Sequence, residues 1–198
     1  MIDEHFVLLG ALLVSLGGVS YLVDTLQGRN QPNKVTWLLW GVAPLVAFAA
    51  QVSKGVGIEA VTTFAVGAMP VAIFLASFVN VRAQWRIGAF DIVCGVLSVV
   101  GLLLWLVTSE GNVAIVFAIL ADVLAGIPTV IKAWTTPESE SPTLFWFGIV
   151  NAAIGLLVIS NWNFEHYGFI AYILFANLLL ATLITFKPAR LLQRVGGA

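Results

Sequence analysis

Residues 85–107 read WRIGAFDIVCGVLSVVGLLLWLV, a run with one arginine, one aspartate and no alternation of polar and apolar side chains. The hydrocarbon core of a bilayer, about 30 Å thick, is crossed by about 20 helical residues. This stretch, taken as Trp85 to Val107, meets that length, and its continuous apolarity predicts a helix rather than a barrel strand. Three further stretches precede it and three follow it. They are His5 to Leu26, Val35 to Val52 and Ile58 to Asn80, then Gly111 to Ala133, Thr143 to Ser160 and Glu165 to Lys187. The expected fold is an all-α integral membrane protein of seven transmembrane helices, with the quoted run as the odd helix between two triplets.

Composition excludes the alternatives. Of 198 residues 60% are apolar and 10% charged, the mean hydropathy is +1.01, and a soluble domain carries about a quarter charged residues. The net charge of -1 offers no basic field for nucleic acid. A lone cysteine, Cys94, leaves no disulfide framework, and His5 and His166 without a His-Glu-x-x-His helix leave no zinc enzyme. No metal, cofactor or catalytic residue is expected, and the chain does not read as an enzyme. The acidic start, Met1-Ile2-Asp3-Glu4-His5, lacks the basic region of a secretory signal, so the first run is read as a retained helix.

Basic residues set the expected orientation. Arg29, Lys34, Arg82, Arg86, Lys132, Lys187, Arg190 and Arg194 fall on one side and only Lys54 on the other, which places the N-terminus outside and the C-terminus in the cytoplasm. Trp85, Trp105, Trp134 and Trp162 fall near span ends, as interfacial anchors do, and Trp37 is read the same way. The expected location is a bacterial inner (plasma) membrane.

A shift of 107 positions lays Thr36 on Thr143 and Gly41 on Gly148, and helices one to three over five to seven. Two parallel three-helix repeats (1–80 and 111–198) joined by a linker helix (81–110) follow, a 3+1+3 plan of the kind used in alternating-access transporters. This plan, the outside N-terminus and the segment Pro128-Thr129-Val130-Ile131-Lys132-Ala133-Trp134 resemble the SWEET and PQ-loop superfamily of transporters. Thr129 stands where the family has glutamine and Tyr21 where it has proline. The resemblance implies proline hinges, for which Pro44 and Pro128 occupy family places and Pro70 is additional.

Candidate path residues come from depth. Ser15, Pro44, Pro70, Asp122, Asn151 and Asn177 fall near mid-span, and the shift pairs Ser15 with Asp122, Pro44 with Asn151 and Pro70 with Asn177. A layer of carboxyl, amide and hydroxyl groups suits a midplane solute site, although single amides also serve as interhelical glue. Trp40 and Trp146, a turn inside their helices, are candidates to stack on a solute. Asp122 and Asp91 have no basic partner at their depth, so each is protonated, wet or holding a cation. Both are candidates for proton coupling, with a structural carboxyl as the alternative. Asp24 is read as a loop-ordering residue, Tyr172 and Met69 as packing, and Gly17 and Gly18 as points of close helix approach.

The function expected is transport of a small polar solute, sugar-like, amino acid or vitamin, by uniport or with protons. Its partners would be that solute and the lipid bilayer, and oligomers stay open because one copy contains both repeats. A receptor or adaptor and a cation channel are the alternatives. An intramembrane aspartyl protease ranks lower, since Asp91 and Asp122 lack the Gly-x-Gly-Asp motif.

Overall fold

The computed structural model of the chain describes residues 2, 3, 5–53, 60–108 and 111–190. Within them every regular element is helical: α1 (Phe6–Leu26), α2 (Lys34–Ser53), α3 (Ala60–Ala76), α4 (Ala89–Val107), α5 (Gly111–Thr135), α6 (Thr143–Val158) and α7 (Phe164–Phe186). Single 3-10 turns lie at Val81–Ala83 and Pro137–Ser139. Four stretches, in α1, α4, α5 and α7, are long and apolar enough to cross a membrane, and shorter apolar stretches lie in α2, α3 and α6.

The helix ends have local causes. Gly28 adopts the left-handed conformation (φ 70°) just past α1, and the bonds from Gly28 N to Thr25 O and from Arg29 N to Asp24 O close a Schellman motif there. Asn33 starts α2 by accepting from the Val35 and Thr36 amides. Asn163 starts α7 by accepting from His166 N, and left-handed Lys187, followed by Pro188, stops it.

Two boundaries differ from expectation. The fourth helix starts at Ala89 instead of Trp85, because Gly88 is its N-cap and the Asp91 carboxylate accepts the Gly88 amide at 2.6 Å. The third ends at Ala76 instead of Asn80, whose side chain donates to Leu26 O and accepts from Arg82 N. Ile58, Lys54 and Arg194 lie outside the described residues.

α3 packs against both α1 and α2, and α7 against both α5 and α6. Between these groups α1 runs along α6 and α2 touches α5, while α4 lies on α5 with lighter contact to α2. Glycine permits the closest approaches: a Cβ on Gly41 would lie 3.0 Å from Gly67 O on α3, and one on Gly148 would strike the Asn177 amide on α7. The largest buried side chains gather at one end of the bundle. Tyr21, Trp37, Ile73, Ala133, Phe145, Leu183 and Ile184 form one cluster, each within a few residues of the connectors 27–33, 77–88 and 136–142 or of the end of α7. Trp37 therefore departs from its expected interfacial place. It is 1% exposed, with its ring 4.5 Å from Tyr21 and 5.5 Å from Trp40, because α2 starts beneath the folded connectors and not at a free surface.

Candidate functional site

Above this sealed end the helices part around a cavity of about 400 Å³, a volume within the range of small-molecule sites. The sequence-chosen Ser15, Trp40, Pro44, Pro70, Asp122 and Asn177 all line it. α1 contributes Ser15, α2 Trp40 and Pro44, α3 Pro70, α5 Asp122, α6 Leu144 and Phe145, and α7 Asn177, so six helices converge on one space. Most of the wall is nevertheless apolar, with Phe145 and Phe169 among its aromatic members.

Two of the polar groups are held by their own helices and the third by a neighbouring one. Ser15 Oγ donates to Ala11 O at 2.7 Å, and Asn177 Nδ2 donates to Ile173 O at 2.8 Å. Asp122 Oδ2 accepts from the Tyr172 hydroxyl of α7 at 2.6 Å. The Trp40 indole rests on Gly126, one helical turn from Asp122 on the same face of α5. Its N–H approaches the Asp122 carboxyl without reaching hydrogen-bond geometry and has no partner among the described residues. Tyr172, read from sequence as packing, is thus the residue that fixes Asp122. Depth alone pairs the two, but only the rotation of α7 shows that they face each other.

Four expected site residues fall elsewhere. Asn151 does not line the cavity; its amide packs on Gly10 where α6 meets α1. Trp146 is 38% exposed and donates to Thr185 Oγ1 at 3.1 Å, on the outer side of α6. Pro128 is buried in α5 away from the cavity wall, near the contact where Thr36 Oγ1 donates to Ala125 O and Thr129 Oγ1 to Thr36 Oγ1. Asp91 is not mid-helix. It sits in the first turn of α4 and accepts from Gly88 N and from Asn33 Nδ2, a capping arrangement that ties α4 to the start of α2.

Sequence reasoning missed the polar network that shuts this same sealed end. Lys132 and Glu140 are an ion pair at 2.6 Å with both side chains fully buried. The Tyr21 hydroxyl donates to Glu140, and Lys132 also donates to Gln31 O and lies 5.0 Å above the Trp85 ring. Gln31 N donates to Ser139 O at 2.7 Å, and Ser141 donates to Asp24, itself paired with Arg29. The network links α1 and the 27–33 connector to α5 and the 136–142 connector. A lysine within an apolar run and a glutamate in the polar connector that follows it were its only signal. Lys132 counted as a loop cation in the orientation argument, yet it is 1% exposed.

Among the described residues no three His, Cys, Asp or Glu side chains converge as a metal site would need. Comparison with protein-family models, with curated proteins and with solved structures finds no match. The geometry alone carries the functional argument.

Proposed function

We propose that the chain is a seven-span transporter of a bacterial inner membrane, N-terminus outside, that moves a small solute by alternating access through the cavity between α1, α2, α3, α5, α6 and α7. The carrying observation is the cavity's asymmetry: a mid-helix space with a carboxyl and an amide, closed at one end by a buried network that joins the two halves of the chain. Exposed apolar side chains such as Leu8, Leu16 and Val19 on α1, and Val93, Val96 and Leu103 on α4, support lipid as the surroundings.

The packing supports the 3+1+3 plan. α3 contacts both helices of its triplet as α7 does, α1–α6 and α2–α5 exchange places under the same two-fold relation, and α4 is left over. Gly41 meets α3 near Val71, and its counterpart Gly148 meets α7 at Asn177, the counterpart of Pro70. Opening the sealed end would require parting Tyr21 from Glu140 and Lys132 from Gln31, with Pro44 and Pro70 as bending points in the first half.

In purified proteoliposomes the reading predicts saturable uptake with exchange of labelled for unlabelled solute. Uptake that rises linearly without saturation would favour a channel, and no movement of any solute would overturn transport. Asp122 is the proposed coupling group: a pH gradient should drive solute above its outside concentration, and Asp122→Asn should abolish that accumulation. Equal final concentrations under every gradient would leave facilitated diffusion.

A further inference from the structure

The cavity's chemistry narrows the class of solute, an inference that rests on the transport reading. Asp122 is the only charged side chain on the wall among the described residues; no Lys, Arg or His lines it. Its Oδ2 is engaged by Tyr172, and its Oδ1 accepts no hydrogen bond among the described residues. The other polar groups are few and partly used: Ser15 Oγ and Asn177 Nδ2 already donate to their own helix backbones. A sugar has a hydroxyl on nearly every carbon, and each one left unpaired on leaving water is costly. The apolar wall cannot repay that. An anion would meet a carboxylate and no cation.

A solute with one cationic end and an apolar body matches both features. A carboxylate in a site of low dielectric, without an ion-pair partner, gains most from a positive charge that enters with the ligand. The Trp40, Phe145 and Phe169 rings give the body apolar surface to cover. We infer that the cavity takes a small organic ammonium with an apolar or aromatic body, its charge on Asp122 and its body against these rings.

The test is equilibrium binding to the full-length purified protein with four probes: phenethylammonium, its neutral analogue 2-phenylethanol, the anion phenylacetate, and glucose. The ammonium should bind at least about tenfold more tightly than the alcohol, equivalent to about 1.4 kcal/mol, and the anion and glucose should bind more weakly still. Asp122→Asn should reduce ammonium affinity to that of the alcohol, and Asp122→Glu should keep the preference. Alcohol or glucose binding as tight as the ammonium in the parent protein overturns the inference, whatever the variants do. So does a preference that survives in a folded Asp122→Asn. Saturable glucose uptake with no ammonium binding removes the cation and leaves transport standing, whereas no binding and no uptake by any probe removes both.

Discussion

Replacing Lys132 with methionine keeps most of the side-chain volume but leaves the Glu140 carboxylate with no cation at a site where both side chains are fully buried. Removing one partner of a buried ion pair costs about 3–5 kcal/mol, because the remaining charge stays desolvated. At about 1.4 kcal/mol per tenfold, Lys132→Met should shift the unfolding equilibrium by about two to three and a half orders of magnitude. The Tyr21 hydroxyl does not offset the loss, since it already donates to Glu140 in the parent. Adding Glu140→Gln removes the orphaned charge, and an amide can still accept from Tyr21, so the double variant should recover most of the stability. The assay is a double-mutant cycle on purified protein, read by tryptophan fluorescence during denaturant unfolding. The expected coupling between the two positions exceeds about 2 kcal/mol. If the two losses simply add, the pair does not hold the closed end together and the argument that it seals the cavity is wrong.

The polar layer splits into two groups with different expected phenotypes: Asn177→Ala should weaken solute binding, whereas Asn151→Ala should lower stability and leave binding intact, as equilibrium dialysis and melting curves would separate. In a Cys94→Ala background, exposed Gln84→Cys and Asn161→Cys should react with a membrane-impermeant maleimide from the cytoplasmic and the outer face respectively, and same-side labelling would overturn the orientation. Glu138 is held below its ordinary value near 4.5 by hydrogen bonding to its own backbone and by Arg190 and Lys187 at 3.2 and 3.4 Å. A lowered value contributes stability above the ordinary carboxylate range that is lost as pH falls through the lowered one, so acid should shave a small amount from the melting temperature and Glu138→Gln should remove that limb.

Helix positions were legible because apolar run length is a one-dimensional property of the chain, and most observed boundaries lie within a residue or two of the expected ones. The exceptions mark where side chains outweighed hydropathy. Gly88 and Asp91 cap α4 late, and Asn80 leaves α3 to serve Leu26. Depth was likewise legible, and it brought five of the six mid-span residues to the cavity. Rotation about each helix axis was not: these helices are apolar on nearly every side, so periodicity does not tell the lipid face from the interior. Asn151 and Trp146 were lost for that reason, and Tyr172 was undervalued for the same one. Lys132 shows a further limit. A cation near a helix end reads as loop charge until Glu140, eight positions later in sequence, is folded back onto it.

The paired positions differ in chemistry as well as in place. Where the second half has Asp122 and Asn177, the first has Ser15 and Pro70, and all four reach the same cavity. Two of the three interior prolines, Pro44 and Pro70, stand in the first half and at the cavity wall, where a missing backbone donor weakens a helix locally. The second half instead carries the charged group, braced across α5 and α7 by Tyr172. A symmetric scaffold divided in this way would bend in the half that holds no charge and bind in the half that is braced. On the proposed transport reading, solute release would be governed by how α2 and α3 move against Asp122, and substitutions that stiffen Pro44 or Pro70 should change the rate of exchange and not the affinity.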